Sequence, residues 1–465
     1  MSVVILLLAL GLLMLVAYRG YSVILFAPIC ALLAVVATDP TLVAPAYTSV
    51  FMDRLANFVK LYFPVFMLGA VFGKVIELSG FSKAIVSSIV RMVGPSRAVL
   101  SIVLVCAVMT YGGVSLFVVV FAVYPFAAEL FRQVDIPKRL IPGTIALGAF
   151  TFTMDALPGT PQIQNIIPTT FFQTNTWAAP WLGVVGAIFI FITGMAYLEF
   201  MRRRAAAAGE GYATTGQRLE NEPEPFEEEK LPNAMLAILP LILVFVLNRV
   251  FTDLIPVLYG ETFQFALGKE PPTAIAIAKI AAIWAVIGAL IIGILSVVIS
   301  SFNTIRGRFA DGTKLAIAGA LLATLNTASE YGFGGVVAAL PGFEVVRSAL
   351  EAIPNPLINE AVTVTVLAGI TGSASGGMSI ALAAMAEQFI ANANAAGIPL
   401  EVLHRVASMA SGGMDTLPHN GAVITLLAVT GLTHRQSYKD IFAITIIKTL
   451  AVGVIIAFFY LTGIY

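Results

Sequence analysis

Charge is what this sequence has least of. Of its 465 residues only 11% are Asp, Glu, Lys or Arg, while 59% are hydrophobic and the mean hydropathy is +0.94. A soluble domain carries about a quarter charged residues. Soluble globular, disordered and nucleic-acid-binding chains are therefore excluded, and an integral membrane protein is left. Lys plus Arg and Asp plus Glu both number 26, so net charge points to no charged partner. Cysteine is nearly absent. Cys30 and Cys106 lie in apolar runs without metal-ligand spacing and read as small membrane hydrophobes, not as a disulfide or redox pair. No phosphate-binding glycine loop occurs, which argues against direct ATP coupling. No barrel-type alternation occurs either, so the chain reads as an all-α helical bundle. Met1 to Tyr18 lacks a basic n-region and a small-residue cleavage site, and is expected to be a first spanning helix rather than a signal peptide.

Glycine and proline, by contrast, are plentiful at 39 and 24. They cluster, and the clusters separate two kinds of segment. Apolar runs long enough to span fall at 3–18, 20–37, 57–79, 180–200, 233–252, 273–300, 315–340 and 440–463. Two further regions, Val99 to Thr170 and Pro356 to Leu427, are apolar but broken by glycine, proline and small polar residues. The longest polar stretch, Arg202 to Lys230, starts with Arg202, Arg203 and Arg204. It then gathers Glu220, Glu222, Glu224, Glu227, Glu228 and Glu229, and reads as a solvated linker near mid-chain. Ser82 to Val93 and Glu344 to Ile353 read as amphipathic pieces lying in the interface.

The two halves repeat. Gly73 to Phe81 matches Gly335 to Phe343, Gly112-Gly-Val-Ser115 matches Gly376-Gly-Met-Ser379, and Met154-Asp-Ala-Leu-Pro158 matches Met414-Asp-Thr-Leu-Pro418. Three matches in one order at a near-constant offset point to an internal duplication. If each short apolar pair is a re-entrant hairpin, each half crosses five times, and an odd count inverts the second half. Basic residues agree with this. Placing both termini outside collects Arg19, Lys83, Arg91, Arg97, Arg132, Lys138, Arg139, Arg202, Arg203, Arg204, Arg218, Lys230, Arg306, Arg308, Lys314, Arg435 and Lys439 on the cytoplasmic side. Arg54, Lys269 and Arg347 remain outside.

Four places are expected to leave helical geometry. The hairpin tips are Thr110 to Ser115 and Thr371 to Ser379, and the breaks are Thr153 to Pro161 and Ser411 to Gly421. Inverted symmetry brings all four to the bilayer midplane, where half-helices point their N-termini into one cavity. Such a cavity is an anion site needing no buried arginine, and it suits a carboxylate. Gly112, Gly113, Gly376 and Gly377 permit close backbone approach, while Ser115, Thr371, Ser373, Ser375 and Ser379 add hydroxyls. A lone Gly-Gly-x-Ser is a helix-packing signature; paired in both halves beside broken helices, it points to binding instead. Thr160, Gln162, Gln164, Asn165 and Asn420 supply groups for substrate hydroxyls. Few fixed cations are expected, which fits one carboxylate with one or two hydroxyls better than a dicarboxylate.

Asp155 and Asp415 occupy equivalent positions in the breaks. An intramembrane carboxylate is costly and is a functional candidate by default. Capping of the next half-helix is the plainer role; binding Na⁺ or carrying a proton is the functional one. His419, one turn after Asp415, favours coupling, with H⁺ ahead of Na⁺. His404 and His434 read as plain interfacial residues, and Lys74, Glu77, Lys279 and Lys448 as residues that snorkel or pair near the interfaces. Asn326, Thr327, Ser329 and Glu330 face either the cavity or a helix interface. No cofactor, metal ligand set or catalytic residue is expected, beyond Na⁺ near Asp155 or Asp415.

Gly69-Ala-Val-Phe-Gly-Lys74, Leu157-Pro-Gly-Thr-Pro161 and the Asp415 to Pro418 break carry a resemblance to the gluconate permease family of secondary transporters, within the wider ion-transporter superfamily. It extends over essentially the whole chain. The resemblance implies a proton-coupled symporter of sugar acids and small hydroxylated carboxylates in the cytoplasmic membrane of a bacterium. It also implies a homodimeric elevator fold in which a scaffold, 1–95 and 233–355, frames a transport domain, 96–200 and 356–465, around the linker 201–232. Gluconate carriers have a Pro-His-Pro-Gly-Pro-type segment where this chain has Leu157 to Asn165, so the chain is more similar to the branch assigned to 3-hydroxybutyrate and related short hydroxy acids. Gluconate and Na⁺-coupled transport are the alternatives within the class. An intramembrane aspartyl protease would also need two membrane aspartates, but no inverted duplication. A channel would show neither saturation nor counterflow.

Overall fold

The computed structural model describes residues 2–19, 21–94, 97–213, 221–223, 231–266, 273–351, 353–418 and 420–465. His419, Arg218, Glu220, Glu224, Glu227, Glu228, Glu229, Lys230 and Lys269 lie outside the described residues, as does the side chain of Arg347.

Helices α1 (Ser2–Tyr18), α2 (Val23–Thr38) and α3 (Met52–Leu78) are the first three expected spans. An amphipathic α4 (Phe81–Val93) follows and buries Phe81, Ile85, Val86 and Ile89. Then α5 (Ala98–Tyr111) turns tightly into α6 (Leu116–Gln133). Helix α7 (Leu140–Ala149) stops, passes through one short turn at Phe152–Asp155, and resumes as α8 (Ile163–Phe172). The long α9 (Pro180–Ala207) closes the half.

The second half runs through the same succession. Three long helices, α10 (Ala234–Tyr259), α11 (Ala281–Ser300) and α12 (Phe309–Ala339), precede the short α13 (Pro341–Glu351). The pair α14 (Pro356–Thr371) and α15 (Ala374–Ala395) follows, then α16 (Leu400–Ser411) broken from α17 (Gly421–Thr430), and the long α18 (His434–Thr462). The order of elements thus repeats as the three sequence matches require.

One expected span is corrected. The run 273–300 is two elements: β2 (Thr273–Ala276) pairs antiparallel with β1 (Thr262–Phe265), and the helix starts only at Ala281. Thr273, Ile275 and Ile277 place β-branched residues at every second position, which suits a pleated strand.

Among the described residues six helical segments are long and apolar enough to cross a membrane. Their outer faces carry large exposed apolar side chains such as Leu254, Val257, Ile299 and Leu461, the inverse of a water-soluble surface. The protein is an all-α, multi-pass membrane protein. Cys30 and Cys106 are buried and free. The arms α5, α7, α8, α14, α16 and α17 have 14, 10, 10, 16, 12 and 10 residues, short of the roughly 20 needed to span. Their inner ends must find partners inside the protein.

Packing falls into two groups. Helix α3 lies along α12, and α10 along α11; α5 packs on α7, α9 on α18, α8 on α16 and α14 on α15. The groups meet chiefly where α12 touches α15 and where α4 touches α5.

The described part of the polar linker is not simply solvated, as its composition suggests. Glu222 takes both Arg132 and Lys138, Glu210 takes Arg139 at 2.6 Å, and Arg139 also reaches Asp440 at 3.0 Å. The Asn221 amide donates to Ala428 O at 2.7 Å. The linker therefore straps together loops that the basic residues assign to one face. The Arg139 guanidinium beside Glu210 holds that carboxyl below its ordinary range.

Candidate functional site

Both hairpin tips and both breaks contribute to one cavity of about 770 Å³. Gly113 and Ser115 come from the first tip, Ser373 and Ser375 from the second. Gln162 and Gln164 come from the first break, Asp415 and Asn420 from the second. Helices α3 and α12 close the wall with Gly69, Lys74, Asn326, Thr327 and Glu330. Of the residues whose facing the sequence leaves open, Asn326, Thr327 and Glu330 therefore face the cavity, while Ser329 is buried without lining it.

Each break is tied to the tip of its own half. The Gln162 amide donates to Thr110 O at 2.7 Å, and the Tyr111 hydroxyl to Pro158 O at 2.7 Å. In the second half Asn420 caps α17, accepting from Ala422 and Val423 N–H at 2.6 and 3.0 Å, and donates to Gly372 O at 2.6 Å. Gln162 and Asn420 both immediately precede a half-helix. Orphan groups of the four interruptions thus satisfy one another. Asn420 and Gln162 line the cavity while doing so. Gln164 lines it with its Oε1 lacking a partner among the described residues.

Several expected site residues lie elsewhere. Asn165 is fully buried and saturated: its amide donates to Thr160 O and Thr176 O at 3.0 and 2.9 Å, and its Oδ1 accepts from Arg405 at 3.0 Å. It has nothing left for a substrate. Thr160 is buried and donates to Thr153 O at 2.8 Å. Gly112 packs so tightly on Leu241 that a Cβ would come within 2.5 Å of it, and at Gly377 a Cβ would overlap the Ala368 backbone. For these two glycines close helix packing is the role that the geometry supports. Ser379 is buried away from the cavity, and Gly376 lies against the Glu330 carboxylate. Gly113 is a true cavity residue, with φ +97° that only glycine adopts freely.

The aspartates differ. Asp415 lines the cavity and is paired with Lys448, whose ammonium also donates to Phe150 O at 3.2 Å. Asp155 is 1% exposed, does not line the cavity, and neither carboxylate oxygen has a hydrogen-bond partner among the described residues. Neither aspartate caps the half-helix after it.

Two buried cations stand behind the cavity wall. Lys448, expected at an interface, is 1% exposed inside α18. Arg405 on α16 is fully buried and donates to Asp155 O at 3.1 Å and Ala178 O at 2.8 Å. His404, also expected at an interface, is buried between Thr174 at 2.6 Å and Asn165 at 3.1 Å. His434 is exposed and bonds Pro418 O at 2.9 Å. Lys74 pairs with Glu77 at 2.8 Å, as expected, but at the cavity wall. Lys448 interrupts an apolar run, whereas Arg405 stands among Glu401, His404 and Ser408, so its burial left no comparable signal in the sequence. Neither lines the cavity; both brace the breaks from behind.

No protein-family model matches the chain. A protein of Bacillus subtilis (strain 168) described as the uncharacterized transporter YxjC is 58% identical over 470 residues, covering all of both chains. Among solved structures, the Alcanivorax borkumensis YdaH transporter superposes with TM-score 0.55 at 14% identity, covering 89% of this chain and 88% of that one. At that identity the likeness concerns the fold.

Proposed function

We propose that this chain, which belongs to the transporter family of Bacillus subtilis YxjC, is a secondary symporter of a small hydroxylated monocarboxylate, of the 3-hydroxybutyrate type, driven by a proton gradient. The observation that carries this reading is the single cavity shared by all four interruptions. Its polar lining combines hydroxyls, amides and the N-termini of α6 and α15 with the carboxylates of Glu77, Glu330 and Asp415, and its one lining cation among the described residues, Lys74, is already paired with Glu77. Helix N-termini favour one carboxylate. Ser115, Gln162, Gln164, Ser375 and Asn420 then read the remaining oxygens.

Coupling falls to Asp415, the one break aspartate at the cavity wall, with Asp155 and His419 assisting. A proton on Asp415 would release Lys448 from its partner and so alter the joint between both breaks, which Lys448 bridges. Na⁺ drive is the second reading, favoured by the unpartnered Asp155 carboxylate. We assign α1–α4 and α10–α13 to a frame that pairs as a homodimer, and α5–α9 and α14–α18 to a part that moves against it, with inverted halves and both termini outside the cytoplasmic membrane. The packing groups support this division.

The test is uptake of labelled 3-hydroxybutyrate, lactate, gluconate and succinate into proteoliposomes, with pH and Na⁺ gradients imposed separately. Saturable, pH-driven uptake with counterflow of a short hydroxy acid is expected. Preference for succinate, or flux that neither saturates nor shows counterflow, overturns the reading. Drive by Na⁺ alone replaces its coupling ion.

A further inference from the structure

Glu330 sits within α12, is 4% exposed and lines the cavity. Its carboxylate is packed onto the first turn of the 22-residue α15, at Gly376, where a Cβ would overlap it, and faces the Ser373 hydroxyl. One turn before it on α12, Thr327 lies 3.2 Å from Ser375, hydroxyl to hydroxyl. In α15 the Gly376 N–H is taken by Ser373 Oγ at 3.0 Å and the Gly377 N–H by Ser373 O at 2.9 Å. The Ala374 and Ser375 N–H groups have no intrahelical acceptor, as the first positions of a helix require. This end carries the partial positive charge that favours an anion.

Glu330 Oε2 has no hydrogen-bond partner among the described residues. The titratable groups on the elements around it are Asp53, Arg54, Lys60, Tyr62, Lys74 and Glu77 on α3, Tyr331 beside it, Glu387 on α15, Glu360 on α14, and Tyr21 and Asp415 across the cavity. Lys74 is bonded to Glu77, and Arg54 lies over the Tyr331 ring at 5.8 Å. No ion pair to Glu330 exists among the described residues. The first half has no such acid: the match of Gly73 with Gly335 sets Leu68 opposite Glu330.

We propose that Glu330 holds the seat that a substrate carboxylate must take on α15, so that substrate binding is accompanied by uptake of one proton at Glu330. This rests on the reading of the chain as a carboxylate carrier. Two carboxylates within about 4–6 Å of one site do not both stay ionised. The incoming acid is ionised in water, and Glu330 is the buried partner. One proton passes from bulk water to Glu330 as the substrate enters, its O–H then donates to the substrate carboxylate, and the proton returns to water on release.

The experiment is calorimetric titration of the detergent-solubilised protein with 3-hydroxybutyrate, lactate and gluconate between about pH 6 and 9, where these acids stay ionised. Two buffers of different ionisation enthalpy count the protons taken up. In the wild type, affinity should fall about tenfold per pH unit wherever free Glu330 is ionised, with one proton taken up per carboxylate bound. Glu330→Gln should bind the same acid at a pH-independent affinity with no proton uptake. A wild type that binds a carboxylate without taking up a proton overturns the proposal whether or not the Gln variant folds. So does a slope that survives in Glu330→Gln. Either result leaves the carrier reading standing. Failure of every carboxylate to bind the wild type overturns both.

Discussion

The two halves share their order of elements but not their chemistry. Among the described residues the first half buries two charged side chains, Lys138 and Asp155, while the second buries Glu330, Glu360, Arg405, Asp415, Asp440 and Lys448. Second-half cations also hold the first-half break: Arg405 bonds Asp155 O and Lys448 bonds Phe150 O. A duplicated scaffold thus supplies matching interruptions, and charge was placed mainly in one copy. Equivalent position does not confer equivalent role. Asp415 has a cation and faces the cavity; Asp155 has neither.

This contrast is sharpest in stability. Lys448→Met should cost about 3–5 kcal/mol, because it leaves Asp415 buried and unpaired. Asp415→Asn/Lys448→Met should recover most of the loss, so the cycle is strongly non-additive. Asp155→Asn breaks no ion pair and should be near neutral or stabilising. Denaturant unfolding in detergent measures all three, and an Asp155→Asn loss equal to that of Lys448→Met would erase the contrast.

The ties between tip and break offer a second comparison. Asn420→Ala loses a bond to Gly372 O and both capping bonds, and should destabilise by about 1–3 kcal/mol. Gln162→Ala loses chiefly the bond to Thr110 O and should cost about 0.5–1.5 kcal/mol. The reverse order would mean that the first tip, not the second, is the tighter joint. In ligand terms, Gln164→Ala should weaken 3-hydroxybutyrate about tenfold yet leave butyrate unchanged, since only the former offers a hydroxyl to Oε1. Equal losses for both acids would remove Gln164 from hydroxyl recognition.

Much of this architecture was legible in the sequence, for a physical reason. Spans need long apolar runs, and interruptions in a bilayer need glycine, proline and small polar residues, so both leave local signatures. The four interruptions could be read in this way, and their meeting followed from the repeat. What was not legible is partnership. Lys448 reaches Asp415 and Phe150, and Arg405 reaches Ala178, across helices. Nothing local separates a buried lysine from one that snorkels. Asn165 and Gln164 are neighbours in sequence, and only packing decides that one is consumed by Arg405 while the other faces the cavity. The β1–β2 hairpin was hidden because its second strand is as apolar as the helix it precedes.

The smallest expected effect is at the linker strap. Arg139 lowers the Glu210 carboxyl below its unfolded value, so the pair stabilises the fold above the unfolded Glu range near pH 4.3. That contribution is lost as pH falls through the lower folded value. The pair is partly exposed, and Glu210→Gln should cost only about 0.2–1 kcal/mol at neutral pH and nothing in acid. A loss that persists in acid would assign Glu210 a role beyond this pair.

The coupling role proposed for the second break is tested directly in proteoliposomes. Accumulation of 3-hydroxybutyrate down an imposed pH gradient, and its exchange at equal pH, are to be measured for the wild type, Asp155→Asn and Asp415→Asn/Lys448→Met. The account predicts that the second-half pair loses accumulation but keeps exchange, while Asp155→Asn retains both at reduced rate. Full pH-driven accumulation by Asp415→Asn/Lys448→Met would contradict it.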